Sequence, residues 1–202
     1  MNFYGLIIGI AIVIAVEYFE KHQKILTTYQ KNILIIGTVI SGIITARAYH
    51  VIDNWSFYSQ NQFQIIETWK GGLGIFGGII GGVLFILLFG LISKKNILLL
   101  LDSITPILPL SQAIGRLGNY VNQENPMWWF EFLFCSILFL IIKKYPQNPT
   151  SKYLFGYGII RFVSEFFRHD TWVIGQINIG QLLSILFIIL SFVIQPTKSH
   201  KN

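Results

Sequence analysis

Seven stretches of this chain, roughly residues 3–19, 32–52, 73–93, 97–117, 127–143, 153–168 and 176–195, are long apolar runs with few charges. About 20 mostly apolar residues are what a helix needs to cross the hydrocarbon core of a bilayer. The runs are too long and too continuously apolar to alternate as barrel strands. Lipid offers no partner to an exposed backbone group, so each run is expected as a helix. Charge agrees: only 12% of the 202 residues are Asp, Glu, Lys or Arg, against about 25% in soluble domains. With 53% apolar residues, too little polar surface is left to coat a water-soluble globule. Heptads are absent and Cys135 is the only cysteine, which removes coiled coils and disulfide scaffolds. The expectation is an all-α, polytopic membrane helix bundle of about seven transmembrane helices, a single domain over 1–202. The fourth run contains Asp102, Pro106 and Pro109 and is expected to bend or re-enter. The sixth is short and carries Arg161 and Glu165, which is tolerated where backbone faces protein or a wet cavity.

Lysine and arginine occupy different places. Alternate connections carry Lys21, Lys24 and Lys31, then Lys94 and Lys95, then Lys143, Lys144 and Lys152, and the tail carries Lys198 and Lys201. The opposite side holds only Lys70, with Arg116 and Arg168 at its edges. Cytoplasmic connections carry the excess of basic residues, so the N-terminus is expected outside and the C-terminus inside. Met1–Tyr4 has no basic n-region, so the first span is not expected to be a cleavable signal. This basicity reads as topology, and no nucleic-acid partner is expected. None of the four arginines lies on the lysine-rich side: Arg47 falls in the outer third of span two, Arg116 at the outer end of span four, and Arg161 and Arg168 in span six. An intramembrane cation costs a few kcal/mol by insertion scales, on the order of 3, and is a functional candidate by default. Arginine rather than lysine suits a planar, bidentate partner such as phosphate or carboxylate. An anionic group in the outer leaflet is one reading. Structural pairing of Arg47, Arg116 and Arg161 with Asp102, Glu124, Glu131 and Glu165 is the other.

Three local constellations stand out. Gly115-Arg116-Leu117-Gly118-Asn119-Tyr120-Val121-Asn122-Gln123-Glu124 sets an arginine between glycines that permit a tight turn and close approach to a ligand. Asn119, Asn122 and Glu124 add amides and a carboxylate that suit a headgroup with phosphate and hydroxyls; an ordinary interfacial turn is the alternative. Gly74, Gly78 and Gly82, with Gly77 and Gly81, recur every four residues, a small-residue face on which helices pack closely in lipid. The outer start of that span also offers amide N–H groups to an anion. Arg161, Glu165 and Arg168 stand at i, i+4 and i+7 on one helix face; Arg161 and Glu165 can pair within the helix. Tyr4, at the outer start of span one, reads as an aromatic-belt residue whose hydroxyl could also reach a headgroup. Cys135 reads as inert packing. Hydrolase elbows and paired-histidine metal motifs are absent.

In order along the chain, these segments resemble the prolipoprotein diacylglyceryl transferase family of bacterial membrane enzymes. Phe3-Tyr4-Gly5-Leu6 is similar to its opening motif and Ala46-Arg47-Ala48-Tyr49 to its second-span arginine motif. Trp69 to Gly82 is similar to its glycine-rich span. Asp102 to Pro106, leading into Gly115-Arg116-Leu117-Gly118-Asn119 and on through Asn122 and Glu124, resembles its signature. Phe130-Glu131 looks like its Tyr-Glu pair, and Tyr157 through Arg161, Glu165, Arg168 and Asp170, then Gly180 to Ser184, like its closing region. The resemblance implies transfer of the diacylglyceryl group of phosphatidylglycerol to the lipobox cysteine thiol of a preprolipoprotein signal peptide. Glycerol phosphate is released at the outer leaflet of the bacterial cytoplasmic (inner) membrane. No metal or organic cofactor is implied. It places the phosphatidylglycerol phosphate on Arg116 and the second essential arginine on Arg161, with Tyr4, Asn119 and Glu124 as further functional positions. Arg47, Asn122, Glu131, Glu165 and Arg168 complete the expected substrate-binding set, with Glu165 orienting Arg161. Phe76 stands where many members have a histidine, and Met127 near a customary glycine. The outer connection after the signature is short, with Asn125 to Trp129 leading straight into Phe130-Glu131. These departures keep open a non-catalytic lipid-binding or lipid-translocating protein of the same fold, and a transferase with another acceptor.

Overall fold

A computed structural model describes residues 3–68, 71–123, 126–167, 173–174 and 177–194. Each of the seven apolar runs contains helix among the described residues: α1 (Phe3–His22), α2 (Thr28–Asp53), α4 (Ile75–Ile92), α5 (Ile97–Ile104) with α6 (Leu108–Val121), α7 (Trp128–Lys144), α8 (Pro149–Glu165) and α9 (Ile179–Val193), with the four-residue α3 (Trp55–Tyr58) between the second and third. One small ladder departs from the all-helical expectation: β1 (Val173–Ile174) pairs antiparallel with β2 (Ile177–Asn178), Val173 opposite Asn178. Among the described residues, two helical stretches, Thr28–Asp53 and Ile97–Val121, are long and apolar enough to cross a membrane. Gly77–Ile92 and Ile179–Val193 are apolar but shorter. The chain divides into two compact units, Lys24–Ile97 and Met1–Gln23 with Leu98–Asn202.

In the Lys24–Ile97 unit, α2 packs against α4. Thr27 starts α2 with a capping box: its hydroxyl accepts from the Gln30 N–H (3.3 Å) and the Gln30 side chain accepts from the Thr27 N–H (3.2 Å), which satisfies two orphan donors at once. The glycine face of α4 is what lets the helices meet. A Cβ on Gly77 would run into the Thr45 carbonyl, and one on Gly81 into the Thr45 hydroxyl. The Ser41 hydroxyl crosses the seam to the Gly81 carbonyl at 2.9 Å. Lipid removes the hydrophobic drive for helix association, so close backbone packing and such bonds carry it. Ile36, Ile40 and Ile44 of α2 and Leu84, Leu88 and Leu91 of α4 point outward.

In the other unit, α6, α7 and α8 surround a core of Ala113, Cys135, Leu138, Ile142, Tyr153 and Ile160, with α1 packed on α6 and α9 on α8. The bend expected in the fourth run is present: α5 stops at Ile104, a 3-10 turn covers Thr105–Ile107, and α6 resumes at Leu108. Pro106 and Pro109 each lack the N–H that an uninterrupted helix would use. The tight turn expected around Gly115 and Gly118 is not formed. Both lie inside α6, and the chain leaves the helix only at Asn122 and Gln123, the latter at φ +53. Continuing the helix keeps the backbone paired, which lipid demands. The sixth run begins earlier than its apolar residues suggest, because Pro149 supplies a preformed first helical position.

Candidate active site

Three helices bring four charged side chains into one chain of ion pairs. Arg116 stands in the last turns of α6, Glu131 in the first turn of α7, and Arg161 and Glu165 in the last turns of α8. An Nη2 of Arg116 lies 2.6 Å from Glu131 Oε2, and Arg161 Nη1 lies 3.7 Å from Glu131 Oε1. Arg161 Nη2 then reaches Glu165 Oε1 at 2.5 Å. The Glu131 side chain is 0% exposed, whereas those of Arg116 and Arg161 keep 18% and 24% of their surface open. The carboxylates are therefore at the back of the cluster and the guanidinium groups at its front. Two positive and two negative charges balance, and a buried carboxylate is sustainable only when paired in this way. The start of α7 adds the positive end of a helix dipole behind Glu131. Glu165 has room because residue 180 is glycine: a Cβ there would overlap the Glu165 carboxyl carbon.

Asn119 follows Arg116 by one turn on α6 and is half-buried; Asn122 caps that helix, its N–H donating to the Gly118 carbonyl at 3.0 Å. Tyr4 lies in α1 with its side chain outside the described residues, and Glu124 and Arg168 lie outside them altogether. Tyr157, absent from the expected site, stands one turn before Arg161 on α8. Its ring stacks on Tyr153 at 5.5 Å, and the Tyr153 hydroxyl accepts from Gln112 Nε2 at 2.8 Å. The sequence held the signal, since Tyr157 and Arg161 are four apart on one helix face.

Arg47 belongs to the other unit and is not an open cation. Its Nε donates to the Ile65 carbonyl (2.8 Å), Nη1 to Gly71 (2.7 Å) and Gly72 (2.9 Å), and Nη2 to Gln64 (2.5 Å). Four of its five N–H groups are thus spent on one loop, and its face rests 5.2 Å from the Tyr58 ring. Gly71 and Gly72 adopt φ of +90 and +71, which glycine reaches without strain and which turns both carbonyls onto the guanidinium. At the outer start of α4, the Gly74 N–H is bonded to the Ala46 carbonyl at 2.9 Å. Arg47, His50, Tyr58, Gln64, Glu67, Gly71 and Gly72 line a cavity of about 290 Å³.

The family model for prolipoprotein diacylglyceryl transferase matches residues 1–129 and 125–195. The two stretches overlap over residues 125–129, at the end of the connection between α6 and α7. Among similar proteins, the phosphatidylglycerol–prolipoprotein diacylglyceryl transferase of Finegoldia magna is 33% identical, covering 95% of this chain and 89% of its own length. The protein of the same description from Clostridioides difficile is 30% identical, covering 98% and 91%. That of Clostridium novyi is 29% identical, covering 100% and 93%. The aligned lengths, 222, 226 and 240 positions, exceed this chain's 202 residues, so the relatives carry internal residues that it lacks. Matched along nearly its whole length, the chain belongs to the prolipoprotein diacylglyceryl transferase family of polytopic bacterial membrane proteins.

Proposed function

We propose that the chain transfers the diacylglyceryl group of phosphatidylglycerol to the lipobox cysteine of a preprolipoprotein, with Arg116 and Arg161 as the grip on the donor phosphate. The family and its near-full-length relatives carry that activity. The observation behind the grip is that both arginines converge on one buried carboxylate while keeping open surface of their own. Glu131 holds both forks from behind, and the surface each arginine keeps open is what a phosphate's oxygens would take.

The acceptor thiol must lose its proton to become a competent nucleophile. Sulfur then attacks C3 of the donor's diacylglyceryl moiety, the C3–O bond breaks, and glycerol phosphate leaves with the bonding electron pair. Two fixed guanidinium groups meet the charge that develops on the leaving phosphate. In a dry site such preorganised contacts contribute several kcal/mol, on the order of 3 for one donor. Glu165 fixes Arg161 from behind, with Tyr157 and Asn119 each one turn along the helix from an arginine of the grip; the family resemblance adds Glu124 as a further functional position. Arg47 has a different task, holding the loop before α4.

The site faces the outer leaflet in this reading. Arg116, Glu131, Arg161 and Glu165 sit at the C-terminal, N-terminal and C-terminal ends of α6, α7 and α8, hence on one side. Lys143, Lys144 and Lys152 sit at the opposite ends of α7 and α8, about 14 to 20 Å away at 1.5 Å per residue, where the lysine-rich cytoplasmic side is expected. The N-terminus is then out and the C-terminus in, with 1–202 a single transferase domain. Its α6–α7 periplasmic connection is shortened, a reading supported by the family match falling into two stretches that overlap at 125–129 and by the internal residues that the relatives carry in addition.

Purified protein, phosphatidylglycerol vesicles and a lipobox peptide test the proposal. A peptide mass gain of one diacylglyceryl group is expected, falling about 10- to 100-fold in Arg116→Lys because a point charge does not reproduce the fork. Lipid binding without any mass gain would replace transfer by a lipid-binding role.

A further inference from the structure

At the end far from the arginines, α8 is also tied to α5 and to the 3-10 turn that leads into α6. The first turn of α8 has backbone N–H groups that its own helix cannot satisfy. Pro149 has none to offer, and Asn148 before it, at φ +49, makes no side-chain cap. The Thr150 N–H instead donates to Asp102 Oδ1, on α5, at 3.2 Å. The Thr150 hydroxyl lies 3.1 Å from Thr105 Oγ1. Thr105 spends its single hydroxyl proton on the Leu101 carbonyl at 2.6 Å, so Thr150 is the donor in that pair. Thr105 and Thr150 are 3% and 5% exposed, where an unmade bond costs more than a made one contributes.

The spacing gives this node its meaning. Thr105 opens the 3-10 turn that leads into α6, and Arg116 follows it by eleven residues; Arg161 follows Thr150 by the same eleven. Eleven residues are about three helical turns. Two paths that leave one level and run for the same number of residues both deliver an arginine to Glu131, the three 3-10 residues at the start of the first path adding about 1.5 Å to its rise. A slip of one residue would move one guanidinium by about 1.5 Å along its axis and turn it by about 100°. A misplacement of about 1 Å at a reacting centre can cost about 100-fold in rate.

We propose that Asp102, Thr105 and Thr150 form a register pin whose work is to align Arg116 with Arg161, which makes them positioning residues for the transfer. The inference rests on the reading of those arginines as the phosphate grip. Full-length enzyme with phosphatidylglycerol vesicles and a lipobox peptide provides the test. Asp102→Ala is expected to lower kcat/KM about 10- to 100-fold with insertion unchanged. Asp102→Asn is expected to restore most of it, since an amide oxygen accepts the same N–H. In an Arg161→Lys background, Asp102→Ala should add little further loss, because the group it positions is already gone. Wild-type turnover in Asp102→Ala, equal inactivity of Asp102→Asn, or full multiplication of the two losses would each overturn the pin. Should Asp102→Ala fail to accumulate, Thr150→Val keeps the N–H bond and removes only the hydroxyl; a several-fold loss that vanishes in the Arg161→Lys background supports the pin, and no loss overturns it. Unchanged turnover in Arg161→Lys alone would instead remove the grip on which the pin depends.

Discussion

Gly180→Ala reaches the proposed site without altering any charged residue in it. The new Cβ would fall onto the Glu165 carboxyl group, whose oxygens stand 2.6 and 2.8 Å from its position. Backbone retreat is resisted, because the Ser184 hydroxyl, 1% exposed as a residue, holds the Gly180 carbonyl at 2.7 Å. A carboxylate at the end of a free side chain would swing aside cheaply. This one is tied to Arg161 at 2.5 Å and its side chain is 2% exposed, so the displacement falls on the ion pair. A hydrogen bond to a charged group contributes about 1.5–3 kcal/mol, and about 1.4 kcal/mol is tenfold in rate. If Arg161 needs Glu165 behind it, kcat/KM for diacylglyceryl transfer should fall about 10- to 100-fold in Gly180→Ala. The assay is peptide modification at varied phosphatidylglycerol, with the melting temperature read alongside. Glu165→Ala supplies the control: with no carboxyl to displace, Gly180→Ala in that background should change turnover little. Turnover of Gly180→Ala within twofold of the parent, or a full additional loss on top of Glu165→Ala, would refute the reasoning.

Two further outcomes are expected. Arg47→Lys replaces a fork that holds four carbonyls by a point charge, so limited proteolysis between residues 59 and 72 should quicken and the melting temperature should drop, while Arg47→Lys still inserts; unchanged protection would deny Arg47 its structural task. A reporter fused to the C-terminus should be active only on the cytoplasmic side, and an outward signal would reverse the proposed orientation.

The helices were legible because their cause is local: a run of apolar residues must pair its own backbone in lipid, and Pro106 and Pro109 announce the break between α5 and α6. The Arg161–Glu165 pair was legible for the same reason, being four residues apart on one helix. What the sequence withheld is non-local. Nothing near Arg47 indicates that carbonyls some 17 to 25 residues downstream would take its donors, and an exposed ligand-facing cation reads identically. The glycines beside Arg116 looked like a turn because glycine permits one; inside a membrane helix they are simply small. Glu131 as the meeting point of two arginines, and Gly180 as the space behind Glu165, follow only from which helices become neighbours.

The ion-pair chain also bears on how the protein is made. On the ribosome α6 emerges first, and Arg116 is a bare cation at the translocon until Glu131 follows fifteen residues later. The brief link between α6 and α7 delivers the pair as one hairpin, its charges already neutralised. Arg161 and Glu165 then arrive on a single helix, four residues apart and self-compensated. At no stage does the nascent chain have to commit more than one unmatched charge of the four to the bilayer, so the contacts proposed to shape the finished site would also ease its insertion.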